Sequence, residues 1–265
     1  LYETENIISM SENYERGMNY LSGDVIVYIG DDDALLRHSL SIVSDYFKQN
    51  HDLLSLRGEM LKYYWKDFWN SNLAGKMYIC KVGFKDEIRK VKDDMENLIN
   101  LRASYAFLPS IYHGFIKRSF IDNLKVKYGN IFCGVAPDVY FSMLSSFNLL
   151  GHGTTANFLT VDGQGAKSNG ANFHINSQYC YETFHKLAKT PDAGIKSINL
   201  MIYNYINYIH SLGIRAENDY YFSDFGFKLF KSTISELSSY TDEHAMCIID
   251  QLFETLSNCT SLQSR

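Results

Sequence analysis

Apolar and polar positions follow two rhythms along the chain, and the predicted elements come from them. Val25-Ile26-Val27-Tyr28-Ile29 is an unbroken apolar run that reads as a buried strand. Gly30 lets the backbone turn sharply as that strand ends, and three consecutive aspartates follow, Asp31, Asp32 and Asp33. Leu36, Leu40, Val43 and Phe47 then recur at helical spacing and predict an amphipathic helix over about 34–48. Upstream, Tyr14, Met18 and Leu21 predict a helix capped by Ser11 or Asn13 and closed at Gly23. Downstream, residues 51–56 and 77–82 read as short strands. The spacing of Phe84, Ile88, Val91, Met95 and Leu98 predicts a helix over 83–101 with a solvated charged face. Residues 111–117 read as a strand, and Ser119-Phe120-Ile121-Asp122 as a capping-box variant opening a helix that Gly129 closes. Pro137 is well placed to start another helix. Beyond about 177 the stripes Ile198, Met201, Tyr205, Ile209, Leu212 and Met246, Ile249, Phe253, Leu256 predict helices.

A strand, an acidic turn and a helix put carboxylates at a strand's carboxyl end, where open α/β sheets bind ligands. Three adjacent carboxylates repel one another, and a divalent cation offsets that repulsion; hard oxygen ligands suit Mg²⁺ or Mn²⁺. The bland explanation is an acidic helix N-terminus, where the helix dipole favours Asp. A calcium loop of the EF-hand kind fits poorly, because its fifth position would be Leu35 and its glycine is missing. An aspartyl-nucleophile phosphatase fits poorly too, since the triplet continues into Ala34-Leu35-Leu36 with no nearby threonine.

Two further stretches carry chemistry. Asp138 follows Pro137 in the first turn of its helix, where the dipole alone explains a carboxylate. Leu159 to Gly170 runs from a strand into a loop of glycines and small polar residues with one lysine, Lys167. Such a loop can bring backbone N–H groups and an ammonium to a phosphate, although its spacing is not that of a P-loop. His113, His152 and His174 are each more simply structural; His113 alternatively touches an acceptor, and His152 or His174 adds a metal ligand. Tyr63, Tyr64, Trp65, Phe68 and Trp69 form either packing or a sugar-stacking wall.

Composition narrows the class. With 265 residues, 46% apolar and 21% charged, the chain is globular and long enough for a sizeable α/β domain. A net charge of -5 argues against a nonspecific nucleic-acid surface. It also means that a diphosphate ligand needs a metal or a local cluster of cations. Five widely spaced cysteines without a Cys-x-x-Cys pair indicate neither a zinc site nor a disulfide framework, and point to a reducing cytosol. No apolar run approaches the ~18 residues of a spanning helix, and no signal peptide is visible.

The order of these motifs resembles bacterial family 2 glycosyltransferases of the GT-A fold. The prelude Ser11-Glu12-Asn13-Tyr14-Glu15-Arg16-Gly17, the apolar strand ending in Gly30-Asp31-Asp32-Asp33, the Pro137-Asp138 segment and the Lys167-Ser168-Asn169-Gly170 loop carry the likeness over roughly residues 5–175. It implies an α/β fold: a GT-A-like mixed sheet flanked by helices in a catalytic domain over 1–175, then a helical C-terminal region over 176–265. Two or three nucleoside-cradling strands normally precede the acidic motif in that family, so the likeness implies a sheet lacking its N-terminal strands. The implied reaction is inverting, metal-dependent transfer of a hexose-type sugar from a nucleotide-diphospho-sugar to a hydroxyl of a glycan or glycolipid. In this reading Asp32 and Asp33 hold Mn²⁺ or Mg²⁺ with Asp31 adjacent, and Lys167, Ser168 and Asn169 meet the donor diphosphate. Asp138 is the general base; the dipole holds its pKa low, so proton transfer is late and largely concerted with attack. The resemblance further implies polysaccharide biosynthesis in the cytoplasm at the inner face of the membrane, with peripheral membrane contact and a homo-oligomer as its companions. The competing expectations are a non-catalytic carbohydrate-binding or assembly module and a metal-dependent phosphohydrolase; the latter gives Asp138 no role.

Overall fold

The computed structural model describes residues 7–100, 102–133 and 136–168. The fold is α/β, a mixed sheet flanked by helices. Its strands are β1 (Val25–Ile26), β2 (Ala34–Leu35), β3 (Ser55–Tyr64), β4 (Met77–Cys80), β5 (Glu87–Lys90), β6 (Gly114–Lys117) and β7 (Gly151–Gln164). The strand path is β1-β6-β3-β7-β2, with β4 added to β3 and β5 to β7. The long strands β3 and β7 are parallel neighbours, and the remaining pairs are antiparallel.

Helices α1 (Met10–Met18), α2 (Ser39–Gln49), α3 (Val91–Ile99), α4 (Arg118–Tyr128) and α5 (Pro137–Ser146) cover the sheet. The alternation of a strand divides the core in two. Ile116 joins Val91, Met95, Leu98, Ile121, Leu124, Tyr140 and Phe141 in the larger cluster, whereas its neighbour Phe115 packs with Val43, Phe47, Leu53, Leu56 and Leu159 under α2. Helix α5 is apolar on nearly every side and buried along its length except at Asp138. A helix of that kind belongs in the interior, and it carries Asp138 with it.

Several predicted boundaries move. The first helix is capped by Ser9, not by Ser11 or Asn13. Ser9 Oγ accepts from the Glu12 amide at 3.1 Å while Glu12 returns a bond to the Ser9 amide at 2.9 Å, a full capping box, and the helix ends at Asn19. The helix expected over 34–48 begins only at Ser39, because Ala34 and Leu35 pair with Val161 and Thr160 of β7; Leu40 is left exposed. The short strand expected over 51–56 is displaced into the ten-residue β3.

The helix expected over 83–101 is real only from Val91. Residues 87–90 instead pair with β7, and Ile88 faces solvent. The buried carboxylate of Glu59 accepts from the amides of Val82, Gly83 and Phe84 at 2.7, 2.7 and 2.6 Å and pins a turn in which Gly83 adopts φ 96°, a conformation outside the helix. Helix α4 begins at Arg118 without a side-chain cap; the Arg118 amide donates to Asp24 at 2.8 Å instead of using a capping box at Ser119. Gly129 closes that helix with φ 74°, as its lack of a Cβ allows. The helical region expected over 176–265 lies outside the described residues.

Candidate functional site

The acidic turn is not a helix start. Asp31 and Asp32 lie in a turn between β1 and β2, six residues or more before α2, so the helix dipole does not account for them. What holds the turn is the third aspartate. Asp33 Oδ2 accepts from the Gly30 amide and the Tyr112 hydroxyl, both at 2.6 Å, and Oδ1 accepts from the Gly163 amide at 2.8 Å. His113 Nε2 is 3.3 Å from Oδ2. Burial alone would raise the Asp33 carboxyl, but His113, Tyr112 and the Gly163 amide outweigh it and hold the pKa down at about 2. Gly30 is needed for the fold-back: a Cβ there would sit 2.8 Å from Asp32 Oδ1.

Asp32 lines a cleft of about 1160 Å³. Its Oδ2 accepts from Ser168 Oγ at 2.5 Å, and its carbonyl accepts from Trp65 Nε1 at 3.1 Å. Ser168 Oγ in turn accepts from the Gly165 amide at 2.7 Å, which closes the loop after β7 against the acidic turn. Asp31, Lys167 and Ser168 line the same cleft, as do Tyr63 and Trp65. Of the aromatic stretch, Phe68 is core while Trp65 and Trp69 are exposed, so packing and a ligand wall divide within one cluster. Asn169 and His174 lie outside the described residues.

Asp138 reaches the cleft from α5, more than a hundred residues from the acidic turn. The expected low pKa is corrected here. Burial raises the Asp138 carboxyl above the ordinary carboxylate range, and the helix-start amides of Val139 and Asp138, with Arg57 and His113 nearby, offset this only in part. The beginning of α5 is sunk in the core, so desolvation outweighs the dipole. Tyr105 lies on the same wall, its hydroxyl pushed up to about 12 by burial and then by Asp138.

Tyr112, His113, Asp162 and Arg57 were not singled out for these roles from the sequence, whereas Asp33 was. Asp33, His113 and Asp162 offer ligand atoms that all lie within 4.8 Å of one another. His113 is 3% exposed and adopts a left-handed φ of 56°; apart from the 3.3 Å approach of Nε2 to Asp33, neither ring nitrogen has a partner. It is held in that conformation by its amide, which donates to Tyr28 at 3.0 Å, and by the tight Ser110–Gly114 turn. Asp162 sits at the end of β7, where Gln164 Nε2 (2.7 Å) and Lys62 Nζ (3.2 Å) approach it. Tyr112 and Arg57 complete the set.

His152 belongs elsewhere. It is fully buried near the start of β7, roughly 30 Å along the strand from Asp162. Its Nε2 lies 3.1 Å from Asp94, which also pairs with Arg89. That is a structural ion-pair network on the far side of the sheet's long strands, not a ligand of the acidic turn.

No family model matches the chain, and no curated protein matches it. Among solved structures, S. aureus TarS residues 1–349 superposes with a TM-score of 0.39 at 11% identity, covering 92% of this chain and 68% of that one. The same protein in complex with UDP-GlcNAc superposes at 0.44 with 13% identity, covering 89% and 68%. Both are remote likenesses. Among the described residues no helix is long and apolar enough to cross a membrane.

Proposed function

We propose that this chain is a metal-assisted glycosyltransferase that moves a sugar from a nucleotide-diphospho-sugar to a hydroxyl of a glycan or lipid-linked acceptor, with inversion. The observation that carries the reading is convergence on one cleft. The acidic turn, the Lys167-Ser168 loop and Asp138 are far apart in sequence, yet all three line it. A phosphohydrolase accounts for the acidic turn but leaves a half-buried carboxylate on the opposite wall without work.

The donor set fits a divalent cation. His113 is a buried imidazole with no hydrogen bond to either nitrogen and Nε2 3.3 Å from Asp33, and Asp162 offers a second carboxylate nearby. The carboxylates suit Mn²⁺ or Mg²⁺, and the imidazole tips the mixture toward Mn²⁺. Asp32 and Asp33 would hold the ion, with His113 and Asp162 within reach. When bound, such an ion neutralises the charge of a departing diphosphate. Lys167 adds a second positive charge on the loop that Ser168 ties to Asp32. The exposed ring of Trp65, packed edge-on against Tyr63 at 5.0 Å, supplies a flat apolar wall for a sugar or base.

Asp138 would accept the proton of the attacking hydroxyl. Its raised pKa makes it a stronger base than an ordinary carboxylate, so proton transfer runs further along with attack than a dipole-depressed acid would allow. Its position at the start of a buried helix fixes the carboxylate with little freedom to wander, which favours a near-attack geometry.

The test is calorimetric titration of UDP, GDP and CMP with Mn²⁺ present, in the wild type, Asp32→Ala and Asp138→Asn. Metal-dependent binding of one nucleotide, lost in Asp32→Ala and kept in Asp138→Asn, is expected. With the matching donor, Asp138→Asn should lower kcat by about 10²- to 10⁴-fold. Binding without turnover in the wild type would favour a non-catalytic module, and metal-independent binding would remove the role given to the acidic turn.

A further inference from the structure

A buried cation that no carboxylate meets in direct contact among the described residues lies in the cleft near Asp138, whose charge favours it only from a distance. Arg57, third residue of β3, is 5% exposed. Its Nη1 donates to the carbonyls of Ala106 at 2.6 Å and Leu108 at 3.2 Å, around the 3-10 turn Tyr105–Phe107. Its Nε has no hydrogen-bond partner, and no carboxylate pairs with it among the described residues. Sequestering a guanidinium with only carbonyl partners is costly unless something else supplies the negative charge.

The chemistry of what is missing follows from which edge is used. The carbonyls take Nη1 and Nε has no partner, which points to the Nε–Nη2 edge. That edge presents two parallel N–H groups, matched to two oxygens of a phosphate or carboxylate. Arg57 lines the cleft together with Asp138, Tyr105 and Ser110, whereas Lys66, Lys167 and Ser168 come from the ends of β3 and β7. A donor diphosphate held near the acidic turn and Lys167 would leave Arg57 unpaired.

We propose that Arg57 forms an anion subsite beside Asp138, and that the molecule bound there carries a phosphate or carboxylate close to the reacting hydroxyl. The proposal rests on the reading of Asp138 as the group that receives that hydroxyl. The anion has two possible carriers: an acceptor with a polyol-phosphate or acidic-sugar unit, or a donor whose transferred sugar is a uronate. A purely structural Arg57, serving only to brace the 3-10 turn, predicts no preference for either.

The experiment compares paired probes on the full chain by calorimetry: glycerol against glycerol 3-phosphate without metal, and UDP-glucose against UDP-glucuronate with Mn²⁺. Each pair is repeated in Arg57→Met and Arg57→Lys, with melting curves to verify folding. A charge-assisted bidentate contact predicts a preference of about 10- to 100-fold for the anionic member of one pair. Arg57→Met should abolish that preference, and Arg57→Lys should retain part of it. Preference in the first pair assigns the anion to the acceptor, and in the second to the donor. No preference in either pair in the wild type overturns the subsite even if Arg57→Met does not fold. A preference that survives in the folded variants overturns it as well. UDP binding with Mn²⁺ reports separately on the donor reading: its absence alongside a glycerol 3-phosphate preference sinks the transferase and leaves the subsite standing.

Discussion

The Gly163 amide donates to Asp33 Oδ1 at 2.8 Å, and the Asp32 carbonyl fills the place where a Cβ on Gly163 would be, 1.8 Å away. The last turn of β7 and the acidic turn are therefore fitted backbone to backbone. Gly163→Ala has no flexible neighbour to push aside. It should cost about 1–3 kcal/mol in overpacking and displace Asp32 from the cleft. Chemical denaturation should show a folded but weakened protein, and Mn²⁺-dependent nucleotide binding should be lost; wild-type binding would contradict the close fit.

Tyr112→Phe removes one of the donors to Asp33 and nothing else of substance. Losing a hydrogen bond to a charged acceptor predicts a cost of about 1.5–3 kcal/mol. The chain's two tryptophans are Trp65 and Trp69, and the Trp65 indole donates to the Asp32 carbonyl at 3.1 Å. In a Trp69→Phe background, the emission of Trp65 should shift on Tyr112→Phe as the acidic turn loosens. An unchanged spectrum would mean that the turn stands without the tyrosine.

Reading these contacts from the sequence was possible only in part. The helix end at Gly129, the start of α5 at Pro137 and the strand leading to the glycine-rich loop are local signals, and the chain obeys them. The apolar run before Gly30 is followed only in part: the strand is confined to Val25–Ile26, Ile26 alone is buried, Tyr28 makes an isolated bridge to Tyr112, and Ile29 is exposed. The 83–90 segment shows why others failed. Its apolar spacing suits a helix, but Glu59, more than twenty residues away, pins residues 82–84 in a turn with Gly83 at φ 96°, and β7 pairs with residues 87–90 as a strand. Ala34 and Leu35 were likewise drawn to β7. In the site, Asp31, Asp32, Asp33, Asp138, Lys167 and Ser168 were visible as motifs. His113 was noted without this role, and Tyr112, Asp162 and Arg57 owe their places to tertiary neighbours, with nothing in their local sequence to announce them.

Glu59 gives a stability prediction free of the cleft. Its carboxylate is 2% exposed and satisfies three amides in a turn where Gly83 adopts φ 96°. Glu59→Ala strands those donors in the interior and should destabilise the fold by about 3 kcal/mol or more. Urea unfolding measures it; a loss under about 1 kcal/mol would mean that water replaces the carboxylate with little penalty.

The Arg89–Asp94–His152 network predicts the response to acid. Burial pulls against the Asp94 charge, but His152 and Arg89 win and hold its carboxyl below the ordinary value of 3.8. Burial lowers His152 below its ordinary 6.5, so it folds neutral with Nε2–H toward Asp94. Both depressed pKa values have the same sign. The stability they contribute is full above the unfolded values and is lost as pH falls, first through the histidine's window below 6.5 and then through the carboxylate's below 3.8. The slope of unfolding free energy against pH should flatten over the first window in His152→Gln; an unaltered slope would place acid sensitivity elsewhere.

The parallel partnership of β3 and β7 joins segments about a hundred residues apart, and the cleft's two walls hang from it. Pairing across that separation is non-local and therefore slow to form. In a chain lacking β7 the acidic turn would lose its Gly163 tether, and Asp33 and His113 would lose Asp162. A ligand bound in the cleft should accordingly report on completed folding and slow the unfolding of the whole sheet.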